Sequence, residues 1–181
     1  MRSGTVSILI ASALIIILWL SSPTLQSAQS RPSKVRIEIV QIERVDSSEV
    51  QFRLKLVNES NKAVFVEGST FDSPVPEPLY IEQWQAEKGW HIVVPCVDTA
   101  PGDVIKLRSA ESLAIESKLA TPLPSVCKER NPQFDGKFRF RLDFFTNEKA
   151  AKIHEQNFFT TDHKPEHVAV SETFEIPPLK K

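Results

Sequence analysis

Apolar and charged residues alternate with a period of two over long stretches of this chain, and that period restricts the fold more than any other feature. Val50, Phe52, Leu54 and Leu56 alternate with Gln51, Arg53 and Lys55. Phe138, Phe140, Leu142 and Phe144 alternate with Lys137, Arg139, Arg141 and Asp143. Successive side chains of a strand point to opposite faces. Each segment therefore has one apolar and one charged face, the pattern of an antiparallel sheet with one wet side. Val35, Ile37 and Ile39 alternate with Arg36 and Glu38, and the phase slips at Val40, which predicts a bulge. Shorter strands are predicted over residues 64–67, 79–85, 90–94, 104–107 and 113–119. The last strand is read over 168–176, with Val168, Val170, Phe174 and Ile176 sharing a face. The one helical stretch is short, over 147–156.

The turn residues agree. Glu87-Lys88-Gly89 predicts a tight hairpin, and Pro101-Gly102 and Asp135-Gly136 predict further turns. Pro74, Pro76 and Pro78, and then Pro122 and Pro124, exclude central strands where they cluster. Eight or nine short strands with turns between them read as all-β, an antiparallel β-sandwich with Greek-key connections. Residues 31–181 show no internal boundary and are read as one domain.

Residues 1–30 are different. Arg2 is their only charge, and Val6 to Leu20 is apolar except for Ser7 and Ser12. That run is shorter than the roughly 20 residues of a spanning helix. It reads as a signal peptide, with Ala28-Gln29-Ser30 offering small residues for a cut before Arg31. The cut lies far from Leu20, so an uncleaved anchor is the alternative. The expected location is secreted or periplasmic, with membrane contact only if the segment stays. In an oxidising compartment the two cysteines, Cys96 and Cys127, are expected to form a disulfide, with two free thiols as the alternative.

Few functional classes survive. Lys and Arg number 22 against 23 acids, a formal net charge of −1, so no basic excess points to nucleic acid. No nucleophile elbow, phosphate loop or dinucleotide glycine pattern is present. His154, His163 and His167 lie near Asp162 and Glu166, but Pro165 breaks the helix that would align His163 with His167. They are read as solvated loop residues, and His91 as an exposed or satisfied strand residue. No catalytic residue, metal or cofactor is expected. Tyr80, Trp84 and Trp90 are the most informative side chains left. They read either as core, with a Trp buried between sheets, or as an exposed aromatic platform for a peptide or sugar. Lys137, Arg139 and Arg141 read as a wet strand face, joined by Arg53 and Lys55 into a basic patch if the strands are neighbours. Asn58-Glu59-Ser60 matches a glycosylation sequon.

Five segments carry a family resemblance. They are Asn58-Glu59-Ser60-Asn61-Lys62-Ala63-Val64-Phe65-Val66, Leu79-Tyr80-Ile81-Glu82-Gln83-Trp84 with Gly89-Trp90, Leu107 with Glu111-Ser112-Leu113, Gly136-Lys137-Phe138-Arg139-Phe140-Arg141, and Ser171-Glu172-Thr173-Phe174. Over residues 34–176 the chain resembles the small secreted immunoglobulin-like sandwiches of bacteria, among them domains of the intracellular-proteinase-inhibitor type. Ala110 stands where such domains often carry Gly, and Phe138 where a Tyr often sits. The resemblance implies a fold and no activity.

The leading expectation is a non-catalytic exported immunoglobulin-like domain that binds or scaffolds another envelope or extracellular protein. A proteinase inhibitor acting through an exposed Pro-rich loop, Ser73 to Pro78 or Thr121 to Pro132, is one alternative. A carbohydrate-binding module using Tyr80, Trp84 and Trp90 is the other.

Overall fold

Alternating hydropathy becomes strand pairing wherever the turn residues allow it. A computed structural model describes residues 34–69, 74–94, 102–123, 132–157 and 164–179. The expected signal segment, both cysteines and His163 lie outside the described residues. The elements are β1 (Val35–Arg44), β2 (Glu49–Asn58), β3 (Val64–Ser69), β4 (Val75–Pro76), β5 (Leu79–Gln85), β6 (Gly89–Val94), β7 (Asp103–Leu107), β8 (Ser112–Ala120), β9 (Lys137–Phe144), α1 (Glu148–Gln156), β10 (His167–Val170) and β11 (Phe174–Glu175). Among the described residues the fold is all-β, with antiparallel sheets and one helix. No helix among the described residues is long and apolar enough to cross a membrane.

The described strands form three sheets. One has the order β1-β2-β8, a second β10-β9-β5-β6 with β11 also on β9, and a third β4-β3-β7. The expected bulge is present: the β1–β2 register shifts between Ile39 and Gln41, and Val40 is exposed. The hairpin between β5 and β6 closes with Lys88 N–H donating to the Gln85 carbonyl at 3.2 Å, and Gly89 takes a φ of 72°.

All three sheets contribute to one apolar core. Phe52, Leu54, Phe140 and Leu142 are buried as their alternation requires, while Arg53 and Lys55 are exposed. The Phe52 ring meets Phe140 edge-on at 5.1 Å, and Phe174 stacks on Phe140 at 5.2 Å. Complete burial of one such ring is worth about 1.5–3 kcal/mol. A second, smaller cluster joins Phe65, Phe145 and Ala151 of α1. Phe65 and Phe145 exchange two backbone hydrogen bonds of 2.8 Å, which tie β3 to the end of β9.

The last strand departs from its sequence reading. It is two pieces, and Val168 and Val170 face solvent while Ala169 is buried. Val170 pairs with Arg141, whereas Phe174 pairs with Phe138. One extra residue therefore lies between the pairs on this side, and a one-residue slip exchanges the faces of a strand. Ser171 occupies the break, giving its N–H to the Phe140 carbonyl and taking the Phe140 N–H on its hydroxyl, both at 2.9 Å.

Two small residues mark tight backbone. Gly68 runs between β4 and β7, and a Cβ there would collide with the Val75 carbonyl oxygen. Ala110 has a φ of 60°, a left-handed conformation that costs an L-residue about 1–2 kcal/mol. That is the physical reason a glycine suits this turn.

Candidate interaction face

The outward face of the β10-β9-β5-β6 sheet gathers the candidate aromatic residues. Tyr80, Glu82 and Trp84 occupy alternate positions of β5 and so share a face. Register brings Trp90 of β6 opposite Trp84, Arg139 of β9 opposite Glu82, and Arg141 opposite Tyr80. Facing side chains at such positions are in contact range. The two indoles meet edge-to-face at 5.5 Å. The Arg139 guanidinium lies 4.2 Å from the centre of the Trp90 ring, and that of Arg141 lies 5.2 Å from the Tyr80 ring.

Charge pairing runs down the same face. Arg139 Nε donates to Glu82 Oε2 at 2.6 Å. Arg141 stands 3.7 Å from the other Glu82 oxygen and donates to Asp143 Oδ1 at 3.2 Å. Glu82 and Asp143 are buried, at 4% and 7% exposure. Burial pushes the Asp143 carboxyl above its ordinary range, against the pull of Arg141. The result is a ladder in which alternating guanidiniums and carboxylates hold one another and the aromatic rings. Trp84 remains 47% exposed at one end. Val168 and Val170, the residues that the phase slip turned outward, add apolar surface on the same sheet beside Asp143 and Arg141.

Trp84 and Trp90 are in contact, and Tyr80 lies on the same face of β5 further along the strand. Neither described Trp is in the core, which is built on Phe52, Phe138 and Phe140 instead. The platform is not open, however. Arg139 covers one face of Trp90, and Arg141 lies over Tyr80. Arg139 and Arg141 are only about a quarter exposed, at 25% and 27%, so they are not the fully wet stripe expected from the alternation. The basic patch with Arg53 and Lys55 does not form, because β2 and β9 belong to different sheets. Arg53 instead reaches Glu116 of β8 at 3.9 Å.

Three other sequence readings change. His154 is not a solvated loop residue. It sits on α1, with its Nδ1 2.6 Å from Oε1 of buried Glu67 in β3. Burial raises the Glu67 carboxyl above its ordinary range, opposed by the bond to His154. His91 is half-buried, and its Nδ1 is buried without a hydrogen-bond partner among the described residues. His167 is exposed and stacks on Phe144 at 5.1 Å.

The sequon residue Asn58 is fully buried. Its amide nitrogen donates to the carbonyls of Lys62, Leu107 and Arg108 at 2.8–3.0 Å, and its oxygen accepts from the Ser60 N–H and hydroxyl. The folded state therefore closes it to glycan transfer. The Pro-rich run is not a free loop either: Pro76 pairs with Gly68, and Pro76 and Pro78 are buried. Among the described residues no cluster of three or more His, Cys, Asp or Glu is placed to hold a metal ion.

Sequence reasoning missed the ladder, although its parts were visible. Glu82 lies two residues from both Tyr80 and Trp84, which marks a shared face. The signal missing was register, which alone says that Arg139 and Arg141 stand opposite that face.

No family model matches the chain, and no curated protein matches it. An X-ray structure of the Northeast Structural Genomics Consortium target SoR45 is similar over 80% of this chain and 84% of that one, at 10% sequence identity and a TM-score of 0.36.

Proposed function

We propose that the protein is a non-catalytic, exported immunoglobulin-like β-sandwich domain that holds another envelope or extracellular protein on the outward face of the β10-β9-β5-β6 sheet. The single observation behind this reading is the half-exposed Trp84, packed against Trp90 beside the Arg139–Glu82–Arg141 ladder. Trp, Tyr and Arg are the side chains that carry most of the energy of protein interfaces. They do so best when already rigid, because less side-chain freedom is lost on binding. Here each ring has a neighbour that holds it, and the guanidiniums are already paired.

A sugar platform has less support, because stacking needs bare ring faces and Trp90 and Tyr80 are partly covered by arginine. An inhibitory Ser73–Pro78 loop has less support because Pro76 and Pro78 are buried, and most of the Thr121–Pro132 loop lies outside the described residues. The proposal includes a signal segment at residues 1–30 and a Cys96–Cys127 bridge.

The test is a pull-down from the native host with the wild-type exported protein and Trp84→Ala. Loss of a wild-type partner from the variant, with unchanged thermal stability, supports the reading. Equal recovery of every partner overturns it. So does a partner-free protein whose Trp fluorescence responds to glycans.

A further inference from the structure

Three carboxylates are buried along connected elements: Glu82 of β5, Asp143 of β9 and Glu67 of β3, at 4%, 7% and 3% exposure. A buried carboxylate needs a counter-charge. Arg139 and Arg141 supply two permanent ones, to Glu82 and Asp143. Glu67 is served differently. Among the described residues its ion-pair partner is the imidazole of His154, at 2.6 Å. An imidazole carries charge only when protonated. The charge balance of the buried group therefore closes only while one extra proton is held between Glu67 and His154.

That pair is also a mechanical tie. Helix α1 has nine residues, too few to persist without tertiary contacts. Its apolar attachment is small: Ala151 is its one buried residue among the described ones, set against Phe65 and Phe145. The His154 ring lies 5.1 Å from that of Phe145 and links the apolar cluster to the acid. The main core lies elsewhere and does not include α1.

We propose that one proton held between Glu67 and His154 clamps helix α1 onto β3, and that the helix loosens as rising pH removes it. The surrounding charges favour keeping the proton. Glu155 of α1 and Asp143 of β9 both face Glu67 with negative charge. Arg141 acts on Asp143 and is shared with Glu82. Lys164 and Glu166 line the shallow depression beside His154, and Glu166 is engaged by Thr146. On β7, Lys106 faces Glu148 of the helix and Asp103 faces Lys152, so these act on its exposed side chains. The sign follows from burial. Glu67 and Asp143 are both raised, so the folded state holds protons more tightly than the unfolded chain. Their contribution is complete below the ordinary carboxylate value and is lost as pH rises through the folded one. Loosening of α1 would bare Phe65 and Phe145.

Amide exchange of the full chain between pH 5 and pH 8, corrected for intrinsic rates, tests this. Protection of the α1 amides is expected to fall about fivefold or more relative to β2 amides. Glu67→Gln mimics the protonated acid, still accepts from the His154 ring, and is expected to abolish that fall. The His154 ring resonance, titrated in the wild type, is expected to share the midpoint of the loosening and needs no variant. Flat α1 protection, an unchanged fall in Glu67→Gln, or separate midpoints would overturn the proposal.

Discussion

Strands β2 and β9 carry nearly the same sequence pattern and live in different surroundings. Phe52-Arg53-Leu54-Lys55-Leu56 and Phe138-Arg139-Phe140-Arg141-Leu142 both alternate apolar and basic residues. Their apolar faces behave identically, packing into one core with Phe52 against Phe140. Their basic faces do not. Arg53 is well exposed, and its nearest carboxylate is Glu116 at 3.9 Å, itself 86% exposed. Arg139 lies 2.6 Å from a buried glutamate and over an indole ring. The difference lies in the neighbouring strand. β2 is flanked by β1 and β8, which set Gln41 and Glu116 beside Arg53, and Glu38 and Ala114 beside Lys55, none of them buried. β9 is flanked by β5, which presents Tyr80 and Glu82. A strand's own pattern thus decides which side is apolar, while its partners decide whether the polar side is solvent or a built network.

The largest expected effect tests the shared half of this comparison. Phe52→Ala and Phe140→Ala should each destabilise by about 3–5 kcal/mol, because each deletes a fully buried ring. Chemical denaturation measures both, and a small effect from either would break the equivalence of the two apolar faces. Next comes the ladder. Glu82→Ala leaves two part-buried guanidiniums without their carboxylate and should cost about 2 kcal/mol, tempered by the water that reaches both arginines. A loss below about 0.5 kcal/mol would show that the ladder contributes no stability.

A direct contrast follows. Arg139→Ala should cost about 2 kcal/mol, because it leaves the buried Glu82 carboxylate without its nearest counter-charge and removes a cation from the Trp90 ring. Arg53→Ala should cost under about 0.5 kcal/mol, as exposed substitutions usually do. Equal values would mean that the two basic faces are alike after all. The smallest effect is in salt. Raising ionic strength from about 0.1 M to about 1 M shortens the screening length from roughly 10 Å to 3 Å. Double-mutant cycles should then lose the Arg53–Glu116 coupling while keeping most of Arg139–Glu82, which is shielded by burial.

Much of the fold was legible in the chain. The alternation in β2 and β9, the bulge at Val40, the hairpin closed by Gly89 and the short helix after Asn147 all depend on local periodicity and local backbone preference. The exceptions have a common cause. Val168 and Val170 read as core because their alternation with Phe174 and Ile176 looked continuous. Ser171 bonding to both backbone groups of Phe140 inserts one residue and reverses the face. Such a slip is a property of the pairing, and no spacing within the last strand announces it.

The candidate site divides in the same way. That Tyr80, Glu82 and Trp84 share a face is a local fact of a strand, and the sequence by itself determined it. That Arg139 and Arg141 stand across from them was decided by register between β5 and β9, strands far apart in the chain. The partnership of His154 with Glu67 needed more still, since it depends on how α1 docks on β3. Local steric preference and hydrophobic periodicity act between near neighbours, so they are written in short stretches of sequence. Register, neighbour choice and the burial of charge arise from contacts between distant segments, and only the assembled core fixes which of those segments meet.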